Sequence, residues 1–251
     1  MTNAIFLSGR NKSRRLPKKL FLPLLDSTTL EVLIARLKKS EMCDRLFMAT
    51  SDHSDDYVFE EVCEPLGVPV FHGSQDDKLV RYRDLCRQEG IDNVVVVDAD
   101  DLLADPGVID VIFCELEKGG RDYVIMDDLP LGATGFGVTK ASLEKVCDRK
   151  TISDTEVWGQ LFADDPVFSC VFLKPEKALV GPDYRLTLDY EDDYKLFDAI
   201  YSALHSVNPE FGLAEVVKFL GDNPDVEAIN DHSKSIYDDN IKKQLEAQLS
   251  S

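Results

Sequence analysis

Long apolar runs are missing from this 251-residue chain. Nothing approaches the roughly 18 consecutive apolar residues of a membrane-spanning helix, so no membrane partner is expected. The opening Met1-Thr2-Asn3-Ala4-Ile5-Phe6-Leu7 is too short for a signal-peptide core and lacks a small-residue cleavage site after it. It reads instead as a first β-strand. Paired cysteines are also missing. Cys43, Cys63, Cys86, Cys114, Cys147 and Cys170 lie far apart with no CxxC, which gives a zinc site little support and fits reduced core thiols in a cytoplasmic protein. Net positive charge is lacking too: the formal total is −19, which argues against a nucleic-acid partner. The chain has no internal repeat and no low-complexity linker.

What is present is ordinary for a globular protein, with 44% apolar and 30% charged residues. The length is ample for a full hydrophobic core. The distribution of charge is more informative than its sum. Residues 1–40 hold nine Lys/Arg against Asp26 and Glu31, a local balance of +7, so the rest of the chain carries −26. A basic segment on an acidic body points to a local anion site, not to a polyanion-binding surface.

Short apolar runs alternate with helical patterns. Strands are expected at 4–8, 45–50, 69–71, 94–97, 122–126, 132–138, 167–173 and 185–188. Helices are expected at 28–39, 55–66, 76–89, 106–118, 140–146, 153–163, 192–205 and 212–220. Val94-Val95-Val96-Val97 is the clearest buried strand, β-branched throughout with polar flanks. Gly67 and Gly90 mark helix ends, and Pro106 suits a first helical turn behind Asp105. Strand and helix in alternation predict a three-layer α/β/α fold with a mostly parallel, Rossmann-like sheet. A single α/β domain over 1–230 is expected, followed by a polar tail at 231–251 that could form a surface helix near 238–248. In such sheets the ligand sits beyond the carboxyl ends of the strands. The loops after 4–8 and 94–97 should therefore carry the chemistry.

The loop after the first strand is Ser8-Gly9-Arg10-Asn11-Lys12-Ser13-Arg14-Arg15-Leu16-Pro17-Lys18-Lys19. It is not a Walker A sequence. So many cations behind a first strand can wrap an oligophosphate with backbone N–H groups, guanidinium forks and ammonium charges. Fixed cations would also stabilise the charge that builds up when a nucleophile attacks the α-phosphorus and pyrophosphate departs. The pattern R-x-x-S-x-R-L-P-x-K, carried by Arg10, Ser13, Arg15, Leu16, Pro17 and Lys19, resembles the opening signature of cytidylyltransferases that activate acidic sugars. The similarity is to the spore coat polysaccharide biosynthesis protein F type, related to the CMP-KDO and CMP-sialic acid synthetases. Lys12 and Lys18 stand where that family usually has glycine.

Two acidic segments extend the resemblance. Asp98-Ala99-Asp100-Asp101-Leu102-Leu103-Ala104-Asp105-Pro106 follows the valine strand and is related to the family's T-G-D-C-P-L-x-D-P. Carboxylates at the end of a buried strand must be solvated, paired or metal-bound. The alignment makes Asp100 the metal-binding aspartate, with Asp98 and Asp101 as alternative ligands. Arg185-Leu186-Thr187-Leu188-Asp189-Tyr190-Glu191-Asp192-Asp193 resembles R-L-T-L-D-Y-P-E-D-L, which makes Asp189 the second ligand. The implied cofactor is Mg²⁺, with Mn²⁺ as the alternative, since such ions take one or two carboxylates plus phosphate oxygens and water.

Ala49-Thr50-Ser51-Asp52 is similar to the family's A-T-S-D, and Phe71–Tyr82 to F-x-G-S-x-D-D-V-L-x-R-Y. The resemblance therefore assigns nucleotide binding to Ser8, Gly9, Arg10, Ser13, Arg15, Lys19, Thr50, Asp52, Ser74, Asp77 and Arg81, with Arg10, Arg15, Lys19 and Asp100 catalytic. Polar groups reading a pyrimidine edge would reject a purine by leaving donors unpaired. Asp76 is a candidate helix cap, and His53 and His72 read as ordinary loop residues. The acceptor should lie against 126–175, where Glu156 and Gln160 share a predicted helix face and Trp158 reads as core. Arg185 could pair with an acceptor anion.

The expected activity is transfer of CMP from CTP to an acidic sugar or phosphorylated small molecule, with release of pyrophosphate, for cell-surface polysaccharide biosynthesis. The resemblance also implies a homodimer. Two alternatives are a GT-A-type glycosyltransferase and a catalytically inactive nucleotide-binding homologue.

Overall fold

The structure, a computed structural model, describes residues 1–236. Strand β1 (Asn3–Ser8) is buried along its whole length. A small antiparallel hairpin follows, β2 (Pro23–Leu24) with β3 (Ser27–Thr28). It leads into α1 (Thr29–Leu37), whose first turn is closed by a capping box between Thr28 and Glu31. Next come β4 (Arg45–Ser51), α2 (Val58–Cys63), β5 (Val70–Gly73), α3 (Lys78–Glu89), β6 (Asn93–Asp98) and α4 (Pro106–Glu117). The second half holds β7 (Tyr123–Met126), β8 (Phe136–Thr139), α5 (Lys140–Arg149), α6 (Gln160–Ala163), β9 (Cys170–Leu173), α7 (Glu191–His205), α8 (Leu213–Asp222) and α9 (Pro224–Glu227).

Seven strands form one sheet in the order β5-β4-β1-β6-β8-β7-β9. Four of its six pairings are parallel; β8 runs against both β6 and β7. Helices cover both faces, and alternation along β1 shows how. Ile5 and Leu7 join the core built on α1, α4, α7 and α8, whereas Ala4 and Phe6 join the core with residues of α3 and α5. A strand covered on both sides must be apolar on both sides, which is why Val94–Val97 is an unbroken valine run with no exposed surface. The mostly parallel, three-layer expectation is met.

Local signals account for most boundaries. Asp105 accepts from the N–H groups of Gly107 and Val108, with Pro106 at the first helical position. Gly67 and Gly90 end their helices in the left-handed region. The cap of α3 is Asp77, which accepts from Val80 N at 3.1 Å; Asp76 is not the cap. Only 160–163 of the expected 153–163 helix forms. Residues 185–188 make a single bridge, Arg185 to Leu131, and no ladder. The expected helix at 238–248 lies outside the described residues. Among those residues, all six cysteines are free, and no helix is long and apolar enough to cross a membrane.

Candidate active site

Parallel pairing brings the carboxyl ends of β1, β4 and β6 to one edge, with Ser8 opposite Ala49 on one side and Asp98 on the other. The chain then turns at Gly9, where a Cβ would lie 2.7 Å from the Cβ of Ala99. Only glycine passes so close to the end of β6. The turn is pinned on both sides: Ala99 N donates to Ser8 O at 2.7 Å, and the Thr50 hydroxyl donates to Gly9 O at 2.8 Å. Tyr82 donates to Ser8 Oγ at 2.6 Å. Thr50 thus shapes the loop from below.

The basic loop divides into two groups. Lys12, Arg14 and Lys18 are exposed and form no ion pair among the described residues. Arg10, Arg15 and Lys19 reach carboxylates of the site, Arg15 from a side chain that is still 51% exposed. Arg10 pairs with Glu156 at 2.8 Å and donates to Gln75 O at 3.0 Å. Lys19 reaches both Asp100 and Asp189, the latter at 3.0 Å, and Arg15 meets the same Asp189 oxygen at 2.7 Å. Two carboxylates 89 residues apart in sequence therefore converge on one cationic centre.

The segment 185–189 delivers Asp189 to that point. Leu186 N donates to Leu131 O at 2.7 Å, and Leu188 N donates to Asp100 O at 2.9 Å. Gly132 makes this crossing possible: its φ is +89°, and a Cβ there would sit 2.1 Å from Leu186 O. Arg185 is buried and pairs with Asp189 at 2.9 Å and Asp193 at 3.3 Å. It positions Asp189 from behind and does not reach out toward an acceptor. Burial alone would push the Asp189 carboxyl up, but Lys19, Arg15 and Arg185 outweigh it and hold it at about 2. The same pairing raises Lys19 against its own burial penalty, through Asp100 and then Asp189.

Behind Asp100, β6 contributes further charge. Burial raises the Asp98 carboxyl despite Lys78, whose ammonium lies 3.3 Å away. Burial together with Asp100 and Asp98 pushes Asp101 well above the usual carboxylate range. Lys78 also meets Glu156 at 3.0 Å and is raised by Asp98 and Glu156 against burial. Sequence reasoning missed this lysine. Its only signal was its place in the first turn of α3, directly after the capping aspartate.

Beside these groups opens a cavity of about 740 Å³. Ser8, Gly9, Arg10, Arg81, Asp100 and Asp189 line it, as do Asp98 and Asp101. Arg15, Lys19 and Thr50 are not among its lining residues but contact those that are. Arg81 has no exposed surface; it donates to Ser74 O at 2.6 Å, and its Nη1 has no hydrogen-bond partner among the described residues. Ser13, Asp52, Ser74 and Asp77 are set apart from the cavity lining. Ser13 Oγ accepts from Leu16 N at 3.3 Å, Ser74 Oγ accepts from Asp77 N at 3.2 Å, and Asp52 is exposed. Asp77 caps α3 and is buried against Lys150 and Thr155.

The far wall of the cavity is built from β7, the loop after it and residues 156–163. Trp158 is 4% exposed and packs edge-on against Tyr82, Tyr123, Phe136 and Phe162. Glu156, placed by the sequence on an acceptor-facing helix, lies just before α6 and holds Arg10 and Lys78. His53 caps a one-turn helix through its ring, and His72 stacks on Tyr57 with centroids 4.2 Å apart. Both are structural.

Residues 4–162 match the cytidylyltransferase family. An uncharacterized protein of Methanocaldococcus jannaschii is 30% identical over 226 residues, spanning 89% of this chain and 92% of that protein. The spore coat polysaccharide biosynthesis protein SpsF of Bacillus subtilis is 28% identical over 233 residues, spanning 90% and 97%. Among solved structures, a cytidylyltransferase from Leptospira borgpetersenii superposes with a TM-score of 0.81 at 25% identity, covering 90% of this chain and 96% of that one.

Proposed function

The chain belongs to the cytidylyltransferase family, and from that premise we propose that it transfers CMP from CTP to an acidic or phosphorylated small molecule, releasing pyrophosphate. The observation that carries this reading is the meeting of Asp100 and Asp189 on Lys19 and Arg15 beside the cavity. The likeness to a spore coat polysaccharide biosynthesis protein supports a role in making cell-surface polysaccharide. We take the site to belong to one domain over 1–230 of a cytoplasmic homodimer.

Asp100 and Asp189 fit a hard divalent cation, Mg²⁺ or Mn²⁺, because both offer carboxylate oxygen. No group of three or more His, Cys, Asp or Glu among the described residues is arranged to hold an ion. Two carboxylates are within what Mg²⁺ takes from protein, with phosphate and water supplying the rest. When bound, such an ion neutralises charge on the phosphates and polarises the phosphoryl group.

The chain's own groups would do the remaining work. Arg10, Arg15 and Lys19 receive the triphosphate at the end of β1, and the backbone after Ser8 adds N–H donors. As pyrophosphate leaves, these fixed cations stabilise its growing charge without reorganising. Asp189, held at about 2, stays ionised at every physiological pH. Arg81, wholly buried, would act from behind the nucleotide by holding the Ser74 and Gln75 carbonyls that shape the loop beside Arg10. The acceptor oxygen attacks the α-phosphorus in line, and positioning contributes much of the rate.

Replacing Asp100 by Asn tests the assignment. Pyrophosphate release should fall by at least about 100-fold, the scale of losing one fixed electrostatic contact to the transition state, while CD and melting stay close to the parent. Unchanged turnover would remove Asp100 from the metal site.

A further inference from the structure

Asp98, Asp100, Asp101 and Asp189 all line the one cavity. Among the described residues, however, no three of them are arranged to hold a single ion. Asp101 lies against Gly132, with its Oδ1 3.0 Å from the place a Cβ would take there. Asp100 and Asp189 meet on Lys19. Asp98 goes elsewhere. Its Oδ1 accepts from the Lys78 ammonium at 3.3 Å, and that ammonium also meets Glu156 at 3.0 Å.

The main chain around these aspartates is fixed. Ala99 N donates to Ser8 O at 2.7 Å, Asp101 N to Asp98 O at 3.0 Å and Leu188 N to Asp100 O at 2.9 Å. The direction of each carboxylate is then left to the side chain it pairs with. Lys78 comes from a separate element: it opens α3 directly after the capping Asp77, with its side chain 11% exposed. The family pattern F-x-G-S-x-D-D-V-L-x-R-Y has valine where Lys78 stands, and T-G-D-C-P-L-x-D-P has threonine where Asp98 stands. Two departures 20 residues apart thus meet, and their charges cancel. A poorly solvated ammonium needs a carboxylate, and a carboxylate in the wall of an anion's site needs a cation.

We propose that Lys78 is a positioning residue for the metal: it keeps Asp98 off the ion, so that the protein offers only Asp100 and Asp189. The inference rests on the metal-dependent cytidylyltransferase reading and deepens it. Affinity for a hard divalent cation rises with the number of carboxylates offered. A third would hold the ion without nucleotide and take a position that a phosphate oxygen should fill. With two, the triphosphate completes the coordination, so metal and nucleotide bind tightly only together and each strengthens the other.

The test is a titration of Mn²⁺ into the full-length protein without nucleotide, with the free ion read by electron paramagnetic resonance. Lys78→Val releases Asp98 and should tighten Mn²⁺ binding at least about tenfold. CTP should then strengthen that binding by a smaller factor than in the parent. The double variant Lys78→Val/Asp98→Thr should return to within about twofold of the parent, which a merely structural role for Lys78 would not produce. Lys78→Met, closer in shape to lysine, gives the same reading where the valine variant does not fold. The ratio between variant and parent should persist at about 0.5 M KCl, where a change in field alone is screened. Mn²⁺ binding within about twofold of the parent in the folded single variants, a gain that the double variant retains, or a gain that salt abolishes would each overturn the proposal. A parent that binds no Mn²⁺ even with CTP would instead remove the underlying metal-site reading, and the role of Lys78 with it.

Discussion

At the scale of single residues, the site depends on a chain of buried ion pairs running from Lys19 to Asp193. Asp193 is fully buried and accepts from Asp189 N at 3.0 Å, Tyr190 N at 2.9 Å and Asn230 Nδ2 at 2.8 Å, besides pairing with Arg185. Removing its charge breaks one buried ion pair of Arg185 and leaves the N–H groups of Asp189 and Tyr190 without their acceptor, a loss on the order of 3–5 kcal/mol. Asp193→Ala should therefore lower stability by about 3 kcal/mol or more in urea denaturation; a loss under about 1 kcal/mol would contradict this network. Asp189 gives a pH signature. Its folded value of about 2 lies below the usual 3.9 or so of an unfolded aspartate, so its contribution, roughly 2 kcal/mol, is complete above about pH 4 and lost as pH falls through 2. The stability gap between the parent and Asp189→Asn should be constant from pH 7 to 5 and close between pH 4 and 2. A gap that widens on acidification would reverse the sign. The residue types at these positions were legible, because carboxylates at strand ends and clustered cations announce themselves. Their partners were not. Nothing in the sequence around Arg185 says that it faces inward, and only the crossing of 185–189 over Gly132 decides it.

At the scale of elements, the loop after β1 takes a path that lysine fits poorly. Lys18 has φ +57°, in the left-handed region, where an L side chain costs about 1–2 kcal/mol and glycine almost nothing. Lys18→Gly should be neutral or stabilising, and the β-branched Lys18→Val should cost at least about 1 kcal/mol by thermal melting. Equal melting temperatures for both variants would mean that the loop relaxes to another path. The regular elements were legible from period and caps, since α1, α3, α4 and α7 carry clear apolar stripes. The stretch 153–159 was not. Its residues are pulled out of helical geometry by tertiary contacts: Thr155 bonds Asp77 at 3.1 Å, Trp158 is drawn into the aromatic core, and a Cβ at Gly159 would lie 2.9 Å from the Tyr123 hydroxyl. The strand direction of β8 was equally hidden, because a two-residue period reports the faces of a strand and not its polarity.

At the scale of the whole molecule, a charge of −19 works against compactness, while the site for a highly anionic nucleotide depends on a few inward cations. Self-repulsion among surface acids weakens as salt screens it. The melting temperature should therefore rise between about 10 mM and 0.5 M KCl, where the Debye length falls from about 30 Å to a few ångströms. A falling melting temperature would mean that the ion pairs of the site, and not the acidic surface, dominate the response. The fold class was readable because alternation of strand and helix survives any detail of packing. The cavity wall away from β1 was not, because it is assembled from β7, β8, α6 and β9, segments whose order in the sheet departs from their order in the chain.

We infer that two distant carboxylates and the loop after β1 form one metal-dependent CTP site. Isothermal calorimetry of CTP, UTP, ATP and GTP, each with Mg²⁺ and with EDTA, decides the matter. The structure predicts binding that prefers CTP, requires Mg²⁺, and is lost in both Asp100→Asn and Asp189→Asn. Triphosphate binding that ignores both the metal and these two substitutions, or no triphosphate binding at all, would contradict it.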